Sequence, residues 1–91
     1  MENKLPYTLS WTDEAREMMD RRMILTEDVI AVLDGFRENG EAILDGESGL
    51  MIARRRLGNA TFWVKFSREG EDAYIVHRAW SHRMNVVKRE G

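Results

Sequence analysis

Residue types that can do chemistry are concentrated in the second half of this chain. Three consecutive arginines, Arg54-Arg55-Arg56, form its densest positive charge. Guanidinium groups bind phosphates and carboxylates through paired hydrogen-bond donors, so on an exposed strand they would hold an anionic partner. Because side chains alternate between the two faces of a strand, we expect Arg54 and Arg56 to share one face and Arg55 to occupy the other. The ordinary alternative for such residues is a solvated sheet position or an ion pair with an acidic helix.

Four other side chains extend the hypothesis of an anionic partner. Lys65 and Arg78 lie on neighbouring predicted strands and could enlarge the basic patch. Strand alternation places Trp63 on the face opposite Phe62, and Trp80 could accompany it there. An exposed indole can stack on a nucleic-acid base or anchor a protein partner, and it can equally fill space under a loop or in a dimer contact. The candidate binding residues are therefore Arg54, Arg56, Trp63, Lys65, Arg78 and Trp80, with Tyr74 as a further candidate for the same surface.

The two histidines, His77 and His82, could act as general acids or bases because imidazole titrates near neutral pH. On a regular strand their odd spacing projects the two rings from opposite faces, and only a bulge or bend near Trp80 would unite them. A two-histidine metal centre lacks a third ligand, since the nearest carboxylates, Glu71 and Asp72, belong to a predicted turn. We expect no metal and no cofactor, and a structural or surface role is the default for each histidine.

Charge is divided along the chain. Residues 1–50 carry five basic and twelve acidic side chains, whereas residues 51–91 carry nine basic and four acidic ones, within a net charge of −2. The potential near a surface depends on local charges more than on their sum, so the second half favours an anionic partner such as RNA or an acidic protein segment. The calculated isoelectric point of 5.7 counts against RNA, whose binding depends on strong positive potential.

Length and composition predict one globular domain, residues 1–91. Hydrophobic residues make up 43% and charged residues 33%, which is ordinary for a folded domain. The absence of cysteine excludes a disulfide framework, a thiolate nucleophile and Cys-ligated metal sites. Neither a signal pattern nor a membrane-length apolar run is visible, so we expect a cytoplasmic protein with no membrane partner. The motifs of common enzyme classes are also absent.

Two helices are predicted in the first half. Residues 7–11 have the composition of a short strand, after which Ser10 or Thr12 can cap a first helix. Thr26 is the predicted N-cap of a second helix, and Gly35 is expected to end it, with residues 37–40 in a loop. The apolar stripe of this second helix predicts its buried face and consists of Val29, Val32, Leu33 and Phe36.

Alternating residues predict a sheet in the second half. Gly58-Asn59 favours a two-residue hairpin that joins residues 50–57 to residues 60–66. A last strand is predicted from residue 73 to about residue 81, and residues 84–87 either extend it or cross the sheet edge. Whether residues 41–45 pair as a separate strand stays open. The predicted fold is α+β in two layers, with two N-terminal helices packed on one face of a three- to four-stranded antiparallel sheet in β-α-α-β-β-β order, leaving the other face open.

Four segments carry a resemblance to a known family: Leu9-Ser10-Trp11, residues 24–29, residues 54–58 and residues 62–66. In this order they resemble the RelE/BrnT-type family of small bacterial proteins, which includes toxins of toxin–antitoxin pairs. The resemblance implies ribonuclease activity with basic and polar residues on an exposed sheet, a role that would fall to Arg54, Arg56, Lys65, His77 and Arg83. In BrnT-like chains the last strand runs into an Ala-Arg turn followed by an acidic residue, whereas this chain has the basic run Arg78 to Met84.

Three functions stay open. The leading hypothesis is a small binding module whose exposed basic sheet face binds an acidic protein partner or RNA. The alternative implied by the resemblance is an endoribonuclease toxin, neutralised by an antitoxin that lays an acidic segment over the sheet. In that mechanism His77 or His82 would transfer protons at the ribose 2′-hydroxyl and the leaving oxygen, while Arg54, Arg56 or Arg83 would stabilise the phosphoryl transition state. The third is an accessory or oligomerisation subunit, for example a homodimer that buries the open sheet.

Overall fold

The computed structural model describes residues 5–83, and Arg83 only through its backbone. The elements in chain order are β1 (Thr8–Trp11), α1 (Asp13–Arg22), α2 (Thr26–Asn39), β2 (Ile43–Leu44), β3 (Met51–Leu57), β4 (Ala60–Arg68) and β5 (Ala73–Arg83). All five strands belong to one sheet in the order β1-β5-β4-β3-β2. Strand β1 runs parallel to β5, and the other neighbouring pairs are antiparallel.

The α+β class and the two N-terminal helices are confirmed, and the prediction of a three- to four-stranded antiparallel sheet is confirmed only for β3, β4 and β5. The sheet has five strands and is mixed, because β1 joins its edge parallel to β5 and because Ile43–Leu44 pairs with β3 as a strand of its own. The hairpin is confirmed, since Leu57 pairs with Ala60 across Gly58-Asn59. The predicted extension over residues 84–87 lies outside the described residues.

One hydrophobic core joins both helices to one face of the sheet. Ala15 and Met19 of α1 are buried in it, as are Val29, Val32 and Leu33 of α2. The sheet contributes Ala53 from β3, Val64 and Phe66 from β4, and Tyr74, Val76 and Ala79 from β5. Because burial of apolar surface is the main favourable contribution to folding, this contact fixes which side of each strand is covered. We call the opposite side of the sheet the open face.

Local hydrogen bonds set the helix ends. Thr12 caps α1, and its hydroxyl oxygen accepts from the Ala15 backbone N–H at 3.0 Å. Thr26, the predicted N-cap of α2, is already helical, and the cap is Leu25, whose N–H donates to the Asp28 carboxylate at 3.0 Å. The carboxylate at the third helical position thus satisfies the N–H of the N-cap residue, which is one half of a capping box.

The predicted end of α2 at Gly35 is also wrong, because the helix continues through residues 37–39 to Gly40. Gly40 adopts a left-handed conformation with φ of 71°, and its N–H donates to the Phe36 carbonyl at 2.7 Å. Gly35 lies inside the helix where Arg55 crosses it, and the Arg55 guanidinium donates to the Ala31 carbonyl at 2.8 Å. Gly35 is therefore an interior residue of the helix beside the Arg55 side chain, not its end.

The two glycines should therefore respond oppositely to alanine. A Cβ at Gly35 would lie 3.5 Å from the Arg55 Cδ, an ordinary contact, so Gly35→Ala should raise the free energy of unfolding by about 0.5–1 kcal/mol through helix propensity. Gly40→Ala should lower it by about 1–2 kcal/mol because alanine is strained at positive φ. Urea denaturation of both variants measures the difference, and a destabilised Gly35→Ala would contradict the placement of this residue inside the helix.

Candidate functional site

Three side chains form a row across the open face. Arg54, Trp63 and Trp80 are successive partners in register on β3, β4 and β5. The Arg54 guanidinium carbon lies 5.5 Å from the Trp63 ring centroid. The Trp63 and Trp80 rings stack with centroids 6.1 Å apart and planes 2° from parallel. We call these residues the Arg–Trp–Trp row, and it brings together three of the predicted binding residues.

The Trp63 ring lies between the other two members of the Arg–Trp–Trp row. Arg54 approaches from the β3 side and Trp80 from the β5 side, because these strands flank β4. Nucleic-acid bases stack on aromatic side chains through free ring faces. Trp63, which is partly exposed, therefore offers the edge of its indole to an incoming molecule. Such an edge suits contact with apolar or aliphatic groups better than base stacking.

Two of the predicted binding cations are engaged in ion pairs within the chain. The Lys65 Nζ lies 2.8 Å from the Asp45 carboxylate, and the Arg78 Nε donates to the Glu14 carboxylate at 3.0 Å. Their positive charge is largely compensated on the surface, which removes them from the strongest part of the basic patch.

Arg54 and Arg56 are the remaining predicted cations of the open face. Among residues 5–82 neither has an acidic partner, and the only side-chain hydrogen bond of Arg56 is from its Nε to the Gly58 carbonyl at 3.2 Å. Both are exposed. They are two residues apart on β3, so their side chains leave the sheet about 7 Å from one another.

Asp45, the ion-pair partner of Lys65, lies in a turn that the sequence did not identify as part of the site. It follows β2, and its carboxylate also accepts from the Ser48 hydroxyl at 2.8 Å and the Glu47 backbone N–H at 3.3 Å. The Lys65 and Asp45 side chains are 18% and 27% exposed, so their attraction is only partly screened by water. The hydrogen bond from Lys65, followed by those from Ser48 and Glu47, lowers the pKa of Asp45 from 3.8 to about 2.

A bulge in β5 changes the expected placement of the histidines. Lys65 pairs with Arg78 and Phe66 pairs with Val76, so His77 is an extra residue in β5. The His77 Nε2 lies 3.0 Å from the Ser67 hydroxyl oxygen, which puts this ring on the open face. His82 pairs with Thr61, also on the open face. The opposite placement expected on a regular strand does not hold, because a bulge adds one residue between the two rings, at His77 rather than near Trp80.

The shared face does not assemble a common site from the candidate catalytic residues. His77 lies beside Ser67 and His82 beside Thr61, and six residues of β4 separate these rows by about 20 Å. The side chain of Arg83 lies outside the described residues. Within the described part of the chain, no group of three or more His, Asp or Glu side chains could hold a metal ion.

The same bulge explains why Tyr74 does not serve the open face. Tyr74 and Trp80 are six residues apart and would share a face on a regular strand, but the extra residue puts them on opposite sides. Tyr74 is 2% exposed, and its ring packs against Tyr7 and Phe66 with centroids 5.2 and 5.6 Å away. The prediction that it lines the binding surface is wrong.

Comparison with known proteins adds no relative. No family model, no curated protein and no solved structure matches the chain. The resemblance to the RelE/BrnT-type family therefore stays a prediction. Neither α1 nor α2 is long and apolar enough to cross a membrane.

A second polar cluster, between α2 and the start of the sheet, was not found from the sequence. The Tyr7 hydroxyl donates to Asp34 at 3.1 Å, and Arg37 donates to the Tyr74 hydroxyl at 3.2 Å and to Asp72 at 3.4 Å. Burial, and next the charge of Asp34, raise the pKa of the Tyr7 hydroxyl. These bonds join α2 to the residue before β1 and to the start of β5, and no pattern along the chain connects residues so far apart.

The ion pair between Lys65 and Asp45 should be visible in a carboxyl titration by NMR. The Asp45 carboxyl should titrate at about 2, and Lys65→Met should move this midpoint toward 3.8 because it removes the largest cause of the shift. Since the folded-state pKa is lowered, the contribution of this carboxylate to folding is complete above the unfolded value near 3.8 and is lost as the pH falls to about 2.

Ser48→Ala is the matched control, since it removes a weaker cause and leaves the cation in place. Its midpoint should rise less than that of Lys65→Met. An unchanged midpoint in Lys65→Met would show that Lys65 is free in solution and available to a partner.

Proposed function

We propose that this protein is a binding module that captures an acidic segment of a partner protein on the open face of its sheet. One observation carries the proposal. Arg54 and Arg56 project together from β3, have no acidic partner among residues 5–82, and lie to one side of the partly exposed indoles of Trp63 and Trp80. Unpaired guanidinium groups next to aromatic side chains are typical of interface anchors.

An acidic protein segment fits this face better than RNA does. The pairing of Lys65 with Asp45 and of Arg78 with Glu14 leaves two guanidinium groups where four cations were predicted. Nucleic-acid binding usually depends on many phosphate contacts, and the net charge of −2 opposes it. Arg54 and Trp80, on the two sides of Trp63, also restrict the free ring surface that bases need for stacking.

The proposed roles of the two residue types differ. Carboxylates would form charge-assisted hydrogen bonds with Arg54 and Arg56, which set the orientation and the specificity of the partner. Apolar groups of the partner would bury the exposed edges of Trp63 and Trp80 and supply most of the affinity, at about 25 cal/mol per Å² of apolar surface. A face of this kind binds a short segment without any reaction.

The other two hypotheses have less support from the geometry. The ribonuclease alternative stays a prediction, and the distance between His77 and His82 gives it no shared proton-transfer site among the described residues. The oligomerisation alternative also stays a prediction. Two copies that met through their open faces would bring like-charged guanidinium groups together, which opposes association.

Affinity capture with two matched variants tests the proposal. Arg54→Gln with Arg56→Gln removes the proposed contacts, and Arg21→Gln with Arg22→Gln removes the same charge from the exposed end of α1. The first variant should lose a captured protein at least tenfold, because each charge-assisted hydrogen bond contributes about 1.5–3 kcal/mol, whereas the second should retain it. Nuclease treatment should not change the recovery, and high salt should reduce it.

The thermal midpoint of the Arg54 and Arg56 variant should stay close to that of the parent protein, since exposed cations without partners contribute little to stability. If nuclease treatment reduced the recovery, the partner would be RNA and not an acidic protein segment. Equal recovery by both variants would remove the open face from the function altogether.

A further inference from the structure

At Arg54 and Arg56, one backbone edge of β3 pairs with no other strand among the described residues. On the side away from β4, β2 pairs only with Met51 and Ile52. In the part of the chain that the structure describes, no strand continues β2 along Arg54 to Leu57. A free edge of this kind can accept an added strand.

The register tells which backbone groups point to that edge. In an antiparallel pair, hydrogen-bonded and non-hydrogen-bonded residue pairs alternate, and the pair that closes a two-residue hairpin is hydrogen-bonded. Leu57 and Ala60 close this hairpin, so Arg55 is bonded to β4 whereas Arg54 and Arg56 direct their N–H and C=O groups outward. Leu50 is four residues before Arg54, so its carbonyl points to the same side, and it accepts from the Asp45 N–H there at 2.8 Å.

Backbone and side chains of the same two residues therefore converge on one partner. In an added antiparallel strand, the residues directly opposite Arg54 and Arg56 would bond to their outward N–H and C=O groups. Directly opposite residues also share a face, so their side chains would lie on the open face beside the two guanidinium groups. Carboxylates at alternating positions match this arrangement in spacing and in charge.

The residue between the two carboxylates would point to the other side of the sheet. A cavity of about 260 Å³ lies at this edge, between β3 and the C-terminal part of α2, and its lining includes Gly35 and Phe36 of α2 as well as Ile43, Ile52 and Arg54. Apolar side chains line it together with the polar groups of Asn39, Glu41 and Arg54. An aliphatic side chain of moderate size fits this space.

We propose that the partner segment has the pattern acidic–aliphatic–acidic and adds to β3 as an antiparallel strand at Arg54–Arg56, in line with β2. This inference rests on the proposed function and specifies how the acidic segment binds. A second copy of this chain is a poor occupant of the edge, because pairing of two such edges would oppose arginines with arginines. Charge complementarity therefore favours an acidic strand from a different protein.

Titration with synthetic peptides, followed by amide NMR spectra of the full chain, tests the inference. The probe is acetyl-Thr-Glu-Val-Glu-Thr-amide. In one variant both glutamates carry N-methyl groups, and in a matched control only the valine does. The glutamate N–H groups would face β3 and the valine N–H would face away, so methylation of the glutamates should weaken binding at least tenfold whereas methylation of valine should leave it unchanged.

The spectra also locate the contact. The parent peptide should shift the amide signals of Arg54 and Arg56 and slow their hydrogen exchange, and Arg54→Gln with Arg56→Gln should abolish both effects. If the N-methyl-glutamate peptide binds as tightly as the parent and still depends on the two arginines, the segment is held by its carboxylates alone. Strand addition is then overturned while the proposed function stands.

Both proposals would be overturned if the parent peptide bound independently of Arg54 and Arg56. They would also be overturned if the peptide shifted neither of these two amide signals and the glutamine variant captured protein as well as the parent chain does.

Discussion

The burial of one face of the sheet under two helices is the constraint on which the rest of the molecule depends. Val64, Phe66 and Val76 of the sheet share one buried core with Val32 and Leu33 of α2, and each such side chain contributes about 1.5–3 kcal/mol when fully buried. Because side chains alternate on a strand, a slip of one residue would expose this whole set. The identity of the buried residues thus determines which residues face solvent.

This constraint explains which features could be predicted from the sequence. The alternation of residues 60–66 identified the covered side of β4 and placed Trp63 on the other, and the spacing of Val29, Val32 and Leu33 identified the buried face of α2. The parallel pairing of β1 with β5 could not be predicted, because the four residues of β1 do not specify which strand it pairs with. Gly35 was misjudged because its local sequence does not reveal that Arg55 crosses it.

The sequence predicted which face carries the candidate site, but it did not predict how much positive charge that face presents. Alternation placed Arg54, Arg56 and Lys65 on one face, which the register reproduces. The partners of Lys65 and Arg78 come from Asp45 and Glu14, which lie in other elements and approach only after the chain has folded. A count of basic residues along a sequence therefore overstates the potential that a surface presents to a partner.

The bulge at His77 determines where the protein can tolerate an inserted or deleted residue. Tyr74 belongs to the interior and Trp80 to the surface only because one surplus residue stands between them. The turn between β4 and β5 lies in solvent and can absorb an inserted or deleted residue. The interior of β5 cannot, since a chain shortened by one residue there would exchange inside for outside over half of the strand.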